Sequence, residues 1–306
     1  MNRREFVAGV SLLTGVASLS PAKGKRATTR LILLGTAGGP RPQKRSAPSQ
    51  VIVVNETAYV VDCGDGVARL LVLAGVPLTQ LRDVLITHQH SDHNADYGNL
   101  LLLAWTAGFH TRVDTWGPPP LARMTRLFFE MNEYDIKIRT VDEGRVPLAP
   151  LVHVHEIREG GLVFQDSNVK VTAALVHHPP VVPAFAYRFD TPDRSIVISG
   201  DTTPSAALWR LAEGADVLVH EAVYVPALDR LVARVANASD LKRSIVSHHT
   251  SAEDAGGLAE KARVGMLVLS HLIPSDDPSI TDQMWIDAAS KHFHGRVVVG
   301  KDLLEI

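Results

Sequence analysis

Short apolar runs alternate with helical patterns along this chain from Arg30 to its last residue. Residues 31–34 and 84–87 are runs of mostly aliphatic side chains that end at glycine or histidine, which predicts buried strands. Alanines recur at helical spacing after Ser251, and this pattern predicts a helix. Because strands that alternate with helices are typical of α/β layers, we expect a single α/β domain over residues 27–306.

Three local predictions depend on shorter patterns. Residues 245–248 form a brief β-rich run and are predicted to be a strand or the end of one. Thr203 and Pro204 suit a helix N-cap and the first helical position, so we predict a helix there that ends at Gly214. A proline-rich break precedes a predicted helix over residues 121–133, which would lie either as a lid beside the site or as a surface helix over the sheet.

The first residues have the pattern of a targeting signal. Arg3 and Arg4 precede a short apolar stretch over residues 7–19, and Ser-Pro-Ala follows at residues 20–22. This pattern is typical of a secretory signal, and the arginine pair is similar to a twin-arginine signal. The alternative is a frayed N-terminal helix. We predict that residues 1–26 comprise an export signal with a short linker, and that the protein is periplasmic or extracellular.

Composition and charge exclude several classes of protein. Cys63 is the single cysteine, which excludes a disulfide framework and a four-cysteine zinc site. Lysine and arginine number 31 against 33 acidic residues, and the net charge of −2 is not the overall positive charge that attracts nucleic acid. No apolar run reaches the roughly 20 residues of a membrane span. The 14 histidines are the informative excess, because many of them are clustered.

The strongest chemical signal is a six-residue segment directly after a predicted buried strand. It contains His88, His90, Asp92 and His93. Imidazole and carboxylate groups are ligands for zinc and similar ions. In a turn, the first two histidines can bind one ion, while Asp92 and His93 reach a second beyond the bend. The alternative is a solvated polar turn, which four ligand-type residues in this order disfavour.

Further ligand-type residues stand at the ends of other predicted strands, where they could complete two coordination spheres. Asp201 and His271 each end one strand, and the adjacent His177 and His178 end another. Strand alternation weakly favours His178, because His177 shares a face with apolar residues. The two predicted ligand sets, bridged by Asp201, are His88, His90 and one histidine of the pair, and Asp92, His93 and His271.

The histidine turn and the sequence Asp-Cys-Gly-Asp-Gly at residues 62–66 together resemble the signature of the metallo-β-lactamase superfamily. The resemblance extends from residue 30 to the end of the chain. It implies a four-layer αβ/βα sandwich with a dinuclear metal site at its edge. It also implies that Asp62 orients the histidine turn without binding metal. The alternative is an aspartate that only forms a turn.

Three further motifs resemble one branch of this superfamily, the ribonuclease Z and arylsulfatase-like enzymes. They are Ser-Gly-Asp-Thr at residues 199–202, His-Glu-Ala at residues 220–222 and His-Thr-Ser-Ala at residues 249–252. The resemblance implies that Glu221 and His249 pair beside the metals and that His249 protonates the leaving group. The alternative for His249 is a helix N-terminal residue that packs on a strand. A histidine–proline motif of the branch fits residues 178–188 and favours His178.

These residues predict a dinuclear hydrolase that cleaves phosphodiester or sulfate esters. A hydroxide bridging the two ions would attack the ester, Asp92 would orient it, and His249 would donate a proton to the leaving oxygen. Zinc is the expected metal because imidazole dominates the ligands, and manganese or iron stays open for one site.

The expected partner is a small anionic ester. Nucleic acid is not expected, because the protein is predicted to be exported and its sequence shows no glycine-rich basic arm of the kind that clamps tRNA. No membrane association is expected, and the resemblance implies a homodimer.

Three rival functions make different demands on the residues. The nearest is a β-lactam or lactone hydrolase on the same scaffold, which needs no separate proton donor of the Glu221–His249 type. A di-iron redox protein would replace His90 by a carboxylate and usually carry a flavin domain. A non-enzymatic, metal-stapled binding protein would need no proton donor at all.

Overall fold

The computed structural model describes residues 28–41 and 43–306, and the predicted export signal at residues 1–26 lies outside the described residues. The strands form two seven-stranded sheets. The first sheet contains β1 (Thr29–Gly35), β2 (Ser49–Val54), β3 (Thr57–Val61), β4 (Leu81–Leu85), β5 (Val113–Gly117), β6 (Val152–Glu156) and β14 (Leu304–Glu305). The second sheet contains β7 (Gly161–Gln165), β8 (Lys170–Val176), β9 (Ala184–Asp190), β10 (Ser195–Ile198), β11 (Val217–Val223), β12 (Met266–Ile273) and β13 (Arg296–Val299).

The strand order explains where a site can form. The first sheet has the order β14-β1-β2-β3-β4-β5-β6, and β3 to β6 run parallel. The second has the order β13-β12-β11-β10-β9-β8-β7, and β10 to β13 run parallel. In open α/β sheets, ligands bind outside the carboxyl ends of parallel strands.

Helices flank both sheets or connect their strands. They are α1 (Val67–Leu73), α2 (Ser91–Asn94), α3 (Tyr97–Thr106), α4 (Leu121–Met131), α5 (Glu133–Asp142), α6 (Ala206–Leu211), α7 (Leu228–Val232), α8 (Leu241–His248), α9 (Ala252–Ala262) and α10 (Asp282–Ala289).

Alternation along the strands divides the core into layers. In β1, Leu31 and Leu33 pack between the two sheets, whereas Ile32 and Leu34 pack in the cluster that includes residues of α1 and α3. Successive side chains of a strand point to opposite faces, so one strand serves both layers. A third cluster joins the second sheet to α6, α9 and α10. The layers are therefore helix, sheet, sheet and helix, and the predicted four-layer αβ/βα sandwich is confirmed.

Two local predictions were wrong. Residues 245–248 are the last turn of α8, because the polar and apolar positions from Leu241 onward follow a helical period and only Ile245 is buried. Helix α6 begins later than predicted, with Ser205 as its N-cap, and ends at Leu211. The backbone N–H of Thr203 instead donates to the carbonyl oxygen of His177, at 2.9 Å.

The helix predicted over residues 121–133 is divided at Asn132 into α4 and α5, and α4 lies against β6 and α3. Within residues 28–41 and 43–306, no helix combines the length and apolar character needed to cross a membrane.

Candidate metal centre

The predicted ligand residues follow the carboxyl ends of strands from both sheets. The segment after β4 carries His88 and His90 and then begins α2, whose first turn holds Asp92 and His93. From the second sheet, His178 follows β8, Asp201 follows β10 and His271 lies within β12. Because β4 and β10 to β12 end at one edge of the sandwich, residues far apart in sequence meet there.

One group of side chains contains His88, His90, His178 and Asp201, and their potential ligand atoms all lie within 4.8 Å of one another. His90 Nδ1 is 3.0 Å from His88 Nε2 and 3.1 Å from His178 Nε2. Asp201 Oδ2 is 3.8 Å from His88 Nε2 and 3.9 Å from His178 Nε2.

A second group lies on the other side of Asp201 and contains Asp92, His93 and His271. His271 Nε2 is 3.4 Å from Asp92 Oδ2 and 3.1 Å from Asp201 Oδ2. His93 Nε2 is 3.7 Å from Asp92 Oδ2 and 3.3 Å from Asp201 Oδ1. The structure thus brings together all seven residues predicted as ligands, with Asp201 between the two groups.

Unpartnered buried atoms test whether this cluster suits a metal ion. Among the described residues, His93 Nε2, His271 Nε2 and Asp201 Oδ1 are buried without a hydrogen-bond partner, although they lie close together. Leaving such atoms unsatisfied is costly, and a cation at the centre would satisfy them. Three or more histidine and carboxylate ligands suit zinc and related divalent ions. The cluster therefore fits a divalent metal.

The charges packed together in the cluster shift the pKa values of its members. Burial alone would raise the pKa of Asp201, but His271 and His93 outweigh it and hold this pKa well below its usual range. Burial would lower the pKa of His93, but Asp201 and Asp62 outweigh it and raise this pKa. The pKa of His88 is lowered well below normal, first by burial and then by His93. The charged carboxylate of Asp201 and the neutral imidazole of His88 are forms that bind metal, whereas His93 would give up its proton when a cation binds.

Hydrogen bonds from outside the cluster fix the orientation of its members. Asp62 Oδ2 lies 2.8 Å from His93 Nδ1, and Asp62 Oδ1 accepts the backbone N–H of Thr87 at 2.8 Å. His178 Nδ1 donates to the carbonyl oxygen of His248 at 2.9 Å. Such contacts set the ring orientation and tautomer of ligand histidines. Asp62 belongs to neither ligand group, which agrees with the orienting role implied for it.

The adjacent histidines have different environments. His178 is 1% exposed and joins the first ligand group, whereas the side chain of His177 is exposed. The carbonyl oxygen of His177 accepts hydrogen bonds from Thr203. The structure therefore places His178, and not His177, among the potential ligands.

Glu221 and His249 form a pair at the edge of this cluster. Glu221 Oε2 lies 3.0 Å from His249 Nδ1, and Glu221 Oε1 accepts the backbone N–H groups of Thr202 and Thr250. Burial would lower the pKa of His249, but Glu221 outweighs it and raises this pKa. His249 Nδ1 is 3.8 Å from Asp201 Oδ2, so the imidazole borders the metal cluster while its ring is held by a buried carboxylate.

A glycine loop after β1 is part of the site and was not predicted. The backbone N–H of Gly39 donates to Asp92 Oδ2 at 3.0 Å. A Cβ atom on Gly38 would lie 2.7 Å from His271 Nδ1 and 2.5 Å from Ile273 Cγ1, so no larger residue fits there without displacement. The pair of glycines before Pro40 was a signal in the sequence for such a close approach.

Comparison with known proteins agrees with this geometry. The sequence matches the family described as a beta-lactamase superfamily domain over residues 57–272. Ribonuclease Z of a Mycobacterium species is 35% identical over 274 residues, covering 89% of this chain and 93% of that protein. Ribonuclease Z of Mycobacterium bovis is 33% identical over 277 residues, covering 89% of this chain and 96% of that protein.

Two solved structures show the same fold at lower sequence identity. The metallo-β-lactamase fold protein YhfI from Bacillus subtilis has a TM-score of 0.67 and 19% identity, covering 91% of this chain and 98% of its own. The short form of human tRNase Z has a TM-score of 0.63 and 20% identity, covering 90% of this chain and 98% of its own.

These findings correct one expectation and confirm two. The expectation that nucleic acid is an unlikely partner is wrong, because relatives that share almost the whole chain are ribonucleases. Net charge and the lack of a basic arm were poor guides, since they describe the whole surface and not the reaction site. The predicted family and the predicted ester-hydrolase activity are confirmed. The chain belongs to the metallo-β-lactamase superfamily and is, within it, a metal-dependent ester hydrolase related to ribonuclease Z.

Proposed function

We propose that this protein hydrolyses phosphodiester bonds in RNA with two divalent metal ions, zinc in at least one site. The observation that carries the proposal is the Glu221–His249 pair, 3.0 Å apart, beside two groups of ligand residues that share Asp201. The residues proposed to hold the ions are His88, His90 and His178 in one group and Asp92, His93 and His271 in the other. When bound, the ions would supply a nucleophile at neutral pH and positive charge facing the anionic ester.

The remaining steps fall to the side chains. We assign His249 the role of proton donor to the leaving oxygen, because Glu221 keeps its imidazole protonated and oriented from the Nδ1 side, leaving Nε2 for the substrate. We assign Asp92 the role of orienting the attacking water, besides its place among the ligands. The backbone N–H of Gly39 holds that carboxylate in position.

This proposal distinguishes phosphodiester hydrolysis from the rival functions. In β-lactam and lactone hydrolysis, bound water or the metal can serve in place of a separate proton donor, whereas a phosphodiester with a poor alkoxide leaving group gains from a protonated imidazole at the leaving oxygen. A sulfate ester carries a similar anionic charge, so it belongs in the same test as an alternative substrate. Manganese or iron in one site is compatible with the ligand types present.

The test is an activity screen of metal-loaded protein, with metal content measured on the same preparation. The substrates are a transfer RNA transcript with single-stranded extensions, bis(4-nitrophenyl) phosphate, 4-nitrophenyl sulfate, a lactone and a cephalosporin. We expect cleavage of the transcript and of the phosphate diester, with about two equivalents of metal. Turnover of the lactone or cephalosporin alone would contradict the proposal, as would a single bound ion in the fully active protein.

We also propose that residues 1–26 direct export. The arginine pair at positions 3 and 4 and the apolar stretch that follows support this proposal. Cell fractionation should find the full chain outside the cytoplasm, and replacing Arg3 and Arg4 with lysine should retain it inside. Cytoplasmic location of the unaltered chain would contradict export without affecting the proposed chemistry.

A further inference from the structure

A cavity of about 330 Å³ opens directly beside the metal cluster, and two unlike sets of residues line it. One set consists of ligand residues, among them Asp92, Asp201 and His271. The second set, which we call the apolar wall, consists of side chains from three elements and the segment between two of them. These are Leu231 from α7, Val235 after it, Leu241 and Ile245 from α8, and Ile273 from β12.

The apolar wall has a small core of its own. Leu228, Leu231 and Ile245 are buried together with Val223 and Ile273, in a cluster separate from the three large cores. Because these side chains pack against one another in the protein itself, the apolar wall is formed before any ligand binds. Small-molecule sites are typically concave and mostly apolar, with volumes of about 300–1,000 Å³, so this cavity suits one small ring system.

Two polar side chains at the rim of the cavity, Arg41 and Gln43, are already engaged. The Arg41 guanidinium lies 3.2 Å from an Asp276 carboxylate oxygen, which offsets its charge. The Gln43 side-chain amide donates to the carbonyl oxygen of Gly38 at 3.0 Å. Away from the metal cluster, the rim therefore offers no free charge from these residues, and an uncharged group is the suitable occupant.

The cavity lies on the proton-donor side of the site. His249 lines it and comes four residues after Ile245, whose carbonyl oxygen accepts the His249 backbone N–H at 3.2 Å. Residues four apart at the end of a helix lie on the same face. A group that fills the cavity is thus next to the imidazole assigned to protonate the leaving oxygen.

We propose that this cavity, which we name the leaving-group subsite, binds the uncharged planar group carried by the leaving alcohol. It is defined by Leu231, Val235, Leu241, Ile245 and Ile273. In RNA that group is a nucleobase, and in a synthetic ester it is an aryl ring. This inference rests on the proposed function, because the role of His249 defines which side of the ester leaves.

The experiment fills the subsite and uses the other face of the same helix as a control. Leu241→Trp places a large side chain into the cavity, whereas Val246→Trp places one on the exposed face of α8, where Val246 is 53% exposed. In methyl 4-nitrophenyl phosphate the only ring is on the leaving oxygen. We expect Leu241→Trp to lower kcat/KM for this ester by about ten-fold or more, mainly through KM, and Val246→Trp to leave it unchanged.

Binding measurements separate the subsite from the metal cluster. The fluorescent probe 2-naphthol has a ring but no phosphate, and inorganic phosphate has no ring. Leu241→Trp should abolish the binding of 2-naphthol and leave competitive inhibition by inorganic phosphate intact. Unchanged naphthol binding or unchanged kcat/KM in an active Leu241→Trp enzyme would refute the subsite alone. Unaltered protein that binds 2-naphthol through Leu241 but hydrolyses no phosphate ester would refute the proposed function, and the leaving-group assignment with it.

Discussion

Two clusters of aspartate and histidine in this chain differ in whether their buried polar atoms are paired. The first, which we call the acidic cluster, consists of Asp83, Asp114, Trp116 and His155 in β4 to β6. The Trp116 indole donates to Asp83 Oδ1 at 2.8 Å, and Asp114 Oδ1 lies 2.7 Å from His155 Nε2. Within the described residues, neither carboxylate leaves a buried oxygen without a partner.

The metal cluster contains the same residue types but pairs them incompletely. There, the unpartnered atoms of His93, His271 and Asp201 converge on one region. Residue type therefore does not distinguish a site from a structural contact in this fold. The distinguishing property is a set of buried donors and acceptors that the protein itself does not satisfy.

The largest effect should come from removing the shared ligand. Asp201→Ala should lose metal and activity together, with kcat reduced by at least about 10⁴-fold, because the ions are what makes water nucleophilic at neutral pH. Asp114→Asn, in the acidic cluster, is the control and should keep both. Metal analysis and turnover of bis(4-nitrophenyl) phosphate measure the two outcomes. Full metal content in Asp201→Ala would contradict the ligand assignment.

Replacing the proton donor should cause a loss of activity that depends on the leaving group. His249→Ala should retain both ions and lose about 10²–10⁴-fold in kcat on esters with poor leaving groups such as RNA. It should stay active on 4-nitrophenyl esters, whose leaving group needs no proton. The ratio of the two activities is the measurement. Equal losses on both substrates would exclude the proton-donor role.

A smaller effect, on metal affinity, is expected from replacing Asp62, which contacts a ligand residue without being one. Asp62→Asn should weaken metal affinity by about 10–100-fold, because Asp62 orients the ring of His93. Titration of the metal-free protein with zinc measures the change. Asp83→Asn is the matched control in a buried carboxylate that contacts no potential ligand. If both variants bind zinc equally well, the contact with Asp62 has no orienting role.

The smallest effect concerns stability in the acidic cluster. Burial raises the pKa of Asp83 from its ordinary value of 3.8 to about 6. The stability that Asp83 contributes is therefore fully present below pH 3.8 and is lost as pH rises through 6. Relative to Asp83→Asn, the free energy of unfolding should fall by about 2–3 kcal/mol between these pH values. Parallel pH profiles of the two proteins in urea denaturation would contradict this pKa.

The sequence was the best guide to residues that are contiguous in the chain and to elements with a regular apolar period. His88, His90, Asp92 and His93 could be grouped because one turn holds them. The alternation of strands and helices predicted α/β layers, but the four-layer order came from the resemblance to the metallo-β-lactamase superfamily.

Three features could not be predicted from the sequence. Residues 245–248 are too few to separate a strand from a helical turn by period, and the apolar residues that reveal α8 begin earlier, at Leu241. The cavity that contains the leaving-group subsite is lined by residues between 231 and 273 and by residues 38–41 and 43, and no local pattern links these segments. Whether the carboxylate oxygens of Asp83 and Asp201 have hydrogen-bond partners depends on residues from other strands. This difference between the two aspartates is therefore visible only in the structure.

The origin of the ligands has a mechanical consequence. His88, His90, Asp92 and His93 follow the first sheet, whereas His178, Asp201 and His271 belong to the second. Cations held between them would cross-link the two halves of the sandwich at one rim, and only the folded chain could bind them. Melting temperature should then climb with free zinc concentration, and a chelator should loosen this rim before the distant one.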